Sequence, residues 1–377
     1  MNIKFDTQDN NPLVKSYLDD DMDKFRQLIK EGMNVNCYYN CNNTLISLVV
    51  SNHSRIPYNR NNDYFDILIE NNVSLEVPEN CTGLLSFAIF RDNKYIFKKL
   101  IENKININSQ DDFKNYNSGE PIIFEAIEKG EYYYLDLVLN KNLYIDARSE
   151  IDETILNEFI KSKSNLSIKN DIEIFQRFID LGCDVNDRGY MSIQAIHCIA
   201  FTGKNYLFDV LFNGKTEVEL NSRDGQGNTA LILAIVFSNF DAVDTLIKKG
   251  SAINIYNSNG HCPLFTSIIY DNDKIFNLLL ENNAATLTID NNNNNILHNM
   301  IQNKWEYGDG YQKYYEKIIE KHPELLFAKN KNGKTPIDLL PKNKSKNKKE
   351  QRKNEFFKNI INKIDHSKIN INDNLSL

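Results

Sequence analysis

Glycine and proline are scarce in this sequence. Its 377 residues include 15 glycines and 8 prolines, about half the share found in ordinary proteins, whereas 56 residues are asparagine. Residues other than glycine must therefore form many of the turns. Apolar residues make up 41% of the chain and charged residues 25%, a composition that can bury cores and that excludes wholesale disorder or a fibrous protein. The length alone suggests about two or three domains.

The sequence also lacks a long apolar run, a signal peptide and a paired cysteine pattern. Its longest apolar run, Ala230 to Phe237, is far too short to span a membrane, and residues 1–10 have no apolar core of a signal peptide. The six cysteines are scattered, which excludes a dense disulfide framework and a C-x-x-C zinc site. We expect reduced thiols, no membrane insertion, and an intracellular, mainly cytoplasmic protein, in its own cell or in a host cell.

Positive charge is concentrated in one segment. The net charge is -7, and because Lys342 to Lys353 contributes +6 (seven Lys/Arg and one Glu), the rest of the chain carries -13. Nucleic-acid binding is therefore not expected of the body. The basic run has three interpretations: a solvated loop in the last repeat, a nuclear localisation signal, or a patch for nucleic acid or acidic surfaces. It has no interleaved aromatic residues for base stacking.

An internal repeat organises the sequence. In residues 228–254, Leu231, Ala234 and Ile235 have the i, i+3, i+4 spacing of an amphipathic helix, and Val243, Leu246 and Ile247 repeat it. The pattern predicts two short helices joined by a tight turn. Similar units start near Asn11, Thr44, Gly83, Pro121, Thr154, Gln194, Thr229, Cys262, Asn295 and Thr335. A period near 33 residues replaces the estimate of two or three domains with one repeat array.

The predicted organisation has three parts. Residues 1–10 are a polar lead, residues 11–340 are the repeat array, and residues 341–377 are a Lys-rich loop with a capping helix that completes the last repeat. Four units are longer than the others, and we place their extra residues in the turns between helices, near residues 51–63, 161–173, 302–313 and 341–355. Insertions at such turns leave the stack of repeats intact.

These units resemble the ankyrin repeat. Its Thr-Pro-Leu-His motif is matched at residues 335–338, 262–265, 194–197 and 295–298, and its Gly-Ala-Asp-Val-Asn segment at residues 32–36, 182–186 and 250–254. The Asp-x-x-Gly-x-Thr that precedes a repeat is present as Asp224, Gly227 and Thr229. The resemblance implies an all-α fold, an ankyrin-type α-solenoid of stacked helix-turn-helix repeats with short finger-like loops.

Asparagine replaces the family's glycine at several helix ends. The glycine after the second helix is present as Gly32, Gly182 and Gly250, whereas Asn72, Asn142 and Asn283 occupy the same position in other units. This position takes a left-handed backbone, which glycine tolerates best and asparagine next best. The exchange explains part of the asparagine excess, and a compositional bias of the genome is the alternative for the rest.

No catalytic or metal-binding motif is present. G-x-x-x-x-G-K-[ST], G-x-G-x-x-G, H-E-x-x-H and G-x-S-x-G are all absent. His197 and His298 stand at the family's histidine position, where the resemblance implies that the ring fastens the adjoining loop by hydrogen bonds. His197 does not form a catalytic pair with Cys198, since adjacent helical residues point about 100° apart. We therefore predict no enzyme activity, catalytic residue, metal or cofactor.

A partner surface is predicted where apolar residues occupy positions that face solvent in the family. The resemblance implies that partners bind a concave groove between the finger loops and the first helices. Large apolar residues there would form one stripe or would be covered as core, and contiguous exposed apolar groups mark interfaces. The predicted stripe consists of Phe201, Val236, Phe237, Ile269 and Tyr270. The polar residues predicted at the rim are Asp224, Asn228, Ser258, Asn259 and Lys331.

The leading hypothesis is a non-catalytic, monomeric scaffold that binds one or more unidentified proteins through this groove and takes no small-molecule substrate. The alternative is an adaptor or host-directed effector that recruits a modifying enzyme, such as a ubiquitin ligase, through residues 341–377. Ankyrin proteins of some large DNA viruses end in an F-box-like segment of this kind, and here Leu340-Pro341 is its only hint.

Overall fold

A computed structural model describes residues 11–39, 43–52, 56–76, 83–108, 121–284, 289–290, 292–302, 312–340 and 348–363. Within these ranges the regular structure is helical, apart from the isolated bridges of Tyr38 with Thr44 and of Arg148 with Thr154. The helices alternate along the chain as first and second members of successive pairs.

The first helices are α1 (Pro12–Leu18), α3 (Leu45–Ser51), α5 (Leu84–Phe90), α7 (Ile122–Lys129), α9 (Ile155–Lys161), α11 (Ala195–Thr202), α13 (Ala230–Val236), α15 (Pro263–Ile269) and α17 (Ile296–Gln302). The second helices are α2 (Met22–Lys30), α4 (Tyr58–Glu70), α6 (Lys94–Glu102), α8 (Tyr132–Leu139), α10 (Ile168–Asp180), α12 (Leu207–Asn213), α14 (Phe240–Lys248), α16 (Asp273–Glu281), α18 (Gln312–Lys321) and α19 (Lys348–Lys363). Short 3-10 helices lie at Tyr190–Ser192, Pro323–Leu326 and Ile337–Leu339.

The chain divides into two compact units. The first contains Met1–Tyr190 and Asp209–Glu217, and the second contains Met191–Phe208 and Val218–Leu377. In the first unit α3 packs on α5, α5 on α7 and α7 on α9, while α4, α6, α8 and α10 form a parallel row of second helices. In the second unit α11 packs on α13 and α13 on α15. Each unit is therefore a stack of helix pairs, which confirms the predicted all-α solenoid.

Side-chain caps begin most of these short helices. A threonine hydroxyl caps α3, α9 and α13 by accepting a hydrogen bond from the backbone N–H three residues later. Several second helices use Asn instead: Asn93, Asn239 and Asn272 cap α6, α14 and α16. An N-cap of this kind stabilises a helix by about 1 kcal/mol. N-capping is thus a second structural use of asparagine.

First helices are buried almost all round because helices pack on both sides of them. In α13, Ala230 to Ile235 are all buried, and in α3 all seven residues are buried. Second helices bury one face only: α14 buries Ala242, Val243 and Leu246. In the sequence, the first helices are therefore continuous apolar runs and the second helices are amphipathic segments.

A tyrosine in the second helix reaches the helix-joining turn of the preceding pair at three places. The hydroxyl of Tyr134 donates to Asp92 over 2.7 Å, and that of Tyr314 donates to Asp271 over 3.0 Å. The rings are buried by edge-to-face contacts, such as that of Tyr314 with Phe276 at 4.7 Å between ring centroids. The third instance is Tyr64 with Asp20. Each of these contacts ties one helix pair to the next.

A buried carboxylate lies against a glycine in the first unit. Glu153 is fully buried, forms a salt bridge with Lys161, and accepts a hydrogen bond from Asn157 Nδ2 over 2.8 Å. A Cβ atom added to Gly189 would lie 1.8 Å from Glu153 Oε1 and 2.8 Å from Asn157 Nδ2. Only glycine fits at position 189 while this carboxylate keeps its partners.

The structure corrects three details of the predicted elements. Helix α4 begins at Tyr58 and α10 at Ile168, so the inserted residues of these two units partly extend the second helices instead of forming loops throughout. Lys348 to Lys353 of the basic run likewise lie in α19, and residues 341–347 lie outside the described ranges. The motif at Thr335 starts a 3-10 helix of three residues, Ile337–Leu339, and not a full α-helix.

The left-handed positions also differ in part from the prediction. Gly32, Gly182 and Gly250 have φ of 87°, 103° and 90°, and Asn72 and Asn283 have φ of 56° and 57°. Asn142 does not have a positive φ, because α8 ends earlier, with Asn140 as its C-cap. The Asn-for-Gly exchange therefore holds at two of the three predicted sites.

Candidate functional site

Finger loops at residues 224–228, 257–261 and 290–294 (residue 291 lies outside the described ranges) precede α13, α15 and α17, and a fourth at 330–334 precedes the 3-10 helix Ile337–Leu339. Each opens with Asp or Asn, whose side-chain Oδ1 accepts two backbone N–H groups of the same loop. In the first loop Asp224 accepts from Gln226 over 2.9 Å and from Asn228 over 2.8 Å. Asn257, Asp290 and Asn330 do the same in the other loops. These bonds fix the shape of each loop.

Adjacent finger loops are hydrogen bonded to each other. The N–H of Ser258 donates to Gln226 O over 3.1 Å, and the N–H of Lys331 donates to Asn292 O over 3.0 Å. Below these contacts, Asn257 Nδ2 donates to Asn228 Oδ1 over 2.8 Å. The loops therefore stand in a row beside the first helices.

Two histidines connect first helices to neighbouring loops, as the resemblance implies. His197 Nδ1 accepts from the N–H of Gln194 over 3.2 Å, and its Nε2 lies 3.1 Å from Ser222 O. His298 bonds in the same way to Asn295 N and Lys334 O. One ring nitrogen faces a donor and the other an acceptor, so both contacts require the neutral ring with its proton on Nε2. The predicted fastening role of the two rings is confirmed.

We expect His298 to make the stability depend on pH. Burial lowers its pKa below the ordinary value, whereas an unfolded histidine takes up a proton near pH 6.5. Between these two pKa values the unfolded chain binds more protons than the folded chain. The contribution of His298 to the free energy of unfolding is therefore largest above about pH 6.5 and falls as the pH is lowered. Urea titrations from pH 7.5 to 5 should show a smaller loss for His298→Gln than for the wild type. Parallel curves would contradict this role of the ring.

The predicted apolar stripe lies at the ends of α11, α13 and α15. Phe237 is 57% exposed and Tyr270 47% exposed, while Phe201, Val236 and Ile269 are half-buried. The rings of Phe201 and Phe237 are in contact, with centroids 5.6 Å apart. Since α13 packs between α11 and α15, the five residues lie on consecutive repeats. Phe237 and Tyr270 are therefore not core residues, whereas the other three are partly covered.

Two of the residues predicted at the rim form hydrogen bonds that hold the finger loops in shape. Asn228 is only 6% exposed, and its side chain donates to Asp224 Oδ2 over 3.2 Å and accepts from Asn257. It shapes the finger loops and offers no surface, which corrects the prediction for this residue. Asp224 is half-buried and also closes its own loop. Ser258, Asn259 and Lys331 are exposed at the loop tips.

One feature of this surface was not predicted from the sequence. Lys329 and Lys334 flank the last finger loop beside Lys331 and are exposed. The recurrence of lysine around the Asn-Gly of that loop is the signal that points to them. In the first unit Phe90 is 77% exposed under the Arg91 guanidinium, 5.4 Å from its ring centroid. Phe90 occupies the same position in its repeat as Phe201, but α7 provides no apolar neighbour and carries Glu125 and Glu128 instead.

The described residues contain buried thiols, a cleft and scattered acidic side chains. No group of three or more His, Cys, Asp or Glu side chains within them is placed to hold a metal ion. A cleft of about 500 Å³ in the first unit is lined by isoleucine, asparagine and two lysines, Lys104 and Lys141, with no Asp, Glu, His or Cys among its described lining residues. Cys37, Cys183, Cys198 and Cys262 are buried thiols, and burial raises the pKa of Cys183 to about 12. Cys41 and Cys81 lie outside the described ranges.

No helix in the described part of the chain is long and apolar enough to cross a membrane. The second unit exposes polar side chains at the finger-loop tips and apolar side chains at the ends of α13 and α15. Helix pairs stacked in register and joined by finger loops define a solenoid repeat protein.

Comparison with known proteins agrees with that class. Residues 164–257 match the family model of ankyrin repeats (3 copies). An ankyrin repeat protein of Acanthamoeba polyphaga mimivirus is 25% identical over 298 residues, which cover 78% of this chain and 37% of that protein. An ankyrin repeat protein of Fowlpox virus is 26% identical over 47% of this chain and 38% of its own length. The chain therefore contains ankyrin repeats, which the family model places at residues 164–257.

The chain spans less than two fifths of the length of these two viral relatives, 37% and 38%. Among solved structures, the ankyrin repeat domain of Bcl-3 aligns with a TM-score of 0.49 and 15% identity, covering 63% of this chain and 97% of that one. Ankyrin repeats generally serve as protein–protein interaction modules and are typically non-catalytic.

Proposed function

We propose that this protein is a non-catalytic scaffold that binds a partner protein through the second unit. The observation that carries the proposal is the exposure of Phe237 and Tyr270, with Phe201 against Phe237, on consecutive first helices. Apolar side chains exposed next to each other are typical of an interface, whereas isolated ones are ordinary. The partner is a protein because aromatic anchors are the residues that contribute most to protein–protein binding.

The finger loops support this proposal because their shape is fixed before binding. Their backbone N–H groups are bonded to Asp224, Asn257, Asp290 and Asn330. A partner would therefore meet a preformed surface and would not have to order the loops, a cost that otherwise reduces affinity. The stripe contributes the apolar contacts, and Ser258, Asn259 and Lys331 contribute polar contacts at the loop tips.

We expect the double variant Phe237→Asp, Tyr270→Asp to lose its partners without unfolding. Both side chains are exposed, so the carboxylates remain hydrated in the free protein but would be buried in a complex, where an unpaired charge is costly. Loss of an aromatic anchor alone weakens binding by about 2 kcal/mol or more. The measurement is quantitative affinity capture from cell lysate with mass spectrometry, together with circular dichroism melts of each protein.

Phe90→Asp is the matched control. It places the same charge on an exposed phenylalanine at the end of a first helix, but in the first unit and outside the stripe. We expect it to retain the partners that the double variant loses. If the folded double variant captures every partner of the wild type, the stripe is not the binding surface.

The remaining parts of the proposal concern activity and location. We propose that the protein has no enzymatic activity, in keeping with its fold, and that it works as a monomer inside a cell, where a reducing environment suits its buried thiols. Recruitment of a modifying enzyme through residues 341–377 is the alternative. Of that segment the structure describes α19, in which Phe357 is buried against Tyr315 of α18 with ring centroids 5.0 Å apart.

A further inference from the structure

Charge is distributed unevenly between the two kinds of helix in the second unit. The first helices α11, α13, α15 and α17 contain no Asp, Glu, Lys or Arg, whereas α14, α16 and α18 each contain several. The side of the groove formed by the first helices is therefore uncharged along four consecutive repeats. An occupant of this side gains affinity from apolar contact, and a charged group placed there would lose hydration without a partner.

The last finger loop has the opposite character. Lys329, Lys331 and Lys334 are all exposed, and within the described part of the chain none of them forms a salt bridge. Asp338 lies within Coulombic reach of Lys329 and Lys334 without a salt bridge to either, and two acidic side chains near the loop are hydrogen bonded locally. Asp338 accepts hydrogen bonds from the N–H and the hydroxyl of Thr335, both over 2.8 Å, and Asp290 accepts from Asn292 and Asn294 in the adjacent loop.

The two features lie in order along one unit. The stripe occupies the repeats of α11, α13 and α15, the repeat of α17 follows, and the lysine loop comes next, with Lys331 bonded to the loop before α17. Packed helices stand about 8–10 Å apart, so Tyr270 and the lysines are about 20 Å apart along the stacking direction. A single extended segment of about six residues covers that distance at about 3.3 Å per residue.

We propose that the groove of the second unit binds a protein segment whose apolar anchors contact the stripe and whose Asp or Glu residues contact Lys329, Lys331 and Lys334. This inference rests on the proposed function and adds the chemistry and the direction of the bound segment. A nucleic acid fits less well, since it would place phosphates along an uncharged apolar wall, and the chain as a whole carries a net charge of -7.

The probe is a displayed library of random 16-residue peptides, panned on the full-length chain. We expect enriched sequences with aromatic or aliphatic residues toward one end and Asp or Glu toward the other. One enriched peptide is then synthesised, together with a copy in which its acidic residues are changed to Asn or Gln. Fluorescence anisotropy of both peptides should show about tenfold weaker binding of the amide copy at low salt and a smaller difference at high salt.

The matching protein variant is Lys329→Glu, Lys331→Glu, Lys334→Glu. It should bind the acidic peptide at least tenfold more weakly and should lose the difference between the two peptides. The control is Lys24→Glu, Lys30→Glu, Lys169→Glu, which makes the same change in net charge at exposed lysines of the first unit. The control should bind both peptides like the wild type. An equal loss in both variants would show a general charge effect and would overturn the assignment.

The outcomes separate this inference from the proposed function. Enriched peptides that are apolar, depend on Phe237 and Tyr270, and show no acidic preference would overturn the inference and leave the scaffold proposal standing. Peptides that bind the double variant Phe237→Asp, Tyr270→Asp equally well would overturn both. Sedimentation of the free protein as a dimer that Tyr270→Asp dissociates would show that a second copy covers the stripe, which also overturns the inference.

Discussion

Replacing Gly189 with alanine should lower the free energy of unfolding by about 2 to 4 kcal/mol. The new Cβ atom would lie 1.8 Å from Glu153 Oε1, well inside van der Waals contact. A carboxylate at the surface would turn away at little cost, but Glu153 is fully buried and is bonded to Lys161 and Asn157. Moving it breaks these bonds and leaves a buried charge poorly paired. Urea unfolding of the two proteins measures the difference.

Gly214→Ala is the control for this experiment. A Cβ atom at Gly214 meets its nearest neighbour, Leu211 O, at 3.5 Å, which is ordinary contact. Its cost should therefore stay within about 0.5 kcal/mol. The cause can be tested further with Glu153→Ala, which removes the clashing oxygen. If Gly189→Ala destabilises the Glu153→Ala protein as much as the wild type, the loss does not come from this contact.

Replacing Phe276 with alanine should cost about 3 to 5 kcal/mol, the usual range for a buried phenylalanine. Phe276 is fully buried in α16, and its ring meets the edge of Tyr314 in α18 at 4.7 Å between centroids. Its loss leaves a cavity between two second helices and removes the support of the ring whose hydroxyl bonds Asp271. Hydrogen exchange should show the largest loss of protection in α16 and α18.

Tyr270→Ala is the matched variant in the same repeat, and it separates stability from binding. Tyr270 is exposed on the stripe, so its truncation should change the free energy of unfolding by about 0.5 kcal/mol or less, while weakening the capture of partners. Phe276→Ala should lower the free energy of unfolding but should still capture the partners at temperatures where it stays folded. A Tyr270→Ala protein that is as unstable as Phe276→Ala would show that Tyr270 is part of the core.

The repeat could be predicted because its signal is periodic. Apolar spacing and the Thr-Pro-Leu-His and glycine positions recur in phase, and each match strengthens the others even where single motifs are degenerate. The start of α4 at Tyr58 and of α10 at Ile168 could not be predicted this way, because residues added at the solvent side of a turn have no fixed apolar period. The same reasoning explains the error at Lys348 to Lys353, where a lysine-rich segment is helical without an apolar stripe of its own.

The site was predicted less completely than the fold. Exposed apolar residues at Phe237 and Tyr270 could be inferred, since their repeat positions normally face solvent. The burial of Asn228 could not, because it depends on a bond to Asn257 of the next repeat, and no local pattern encodes that distance. The burial of Glu153 was not predicted for the same reason, because the residues around it, Lys161 and Gly189, belong to two successive repeats.

The first residues of the finger loops alternate between two chemically different side chains of nearly one shape. Asp224 and Asp290 carry a charge, whereas Asn257 and Asn330 do not, yet all four accept the same pair of backbone N–H groups. In the two Asp loops the second carboxylate oxygen also accepts from an asparagine side chain four residues later, Asn228 or Asn294, whereas the two Asn loops have His261 and Lys334 at that place. A switch of the electrostatic potential beside the groove therefore involves two positions of a loop. Relatives of this protein can diverge in partner choice in these four loops while the scaffold stays the same.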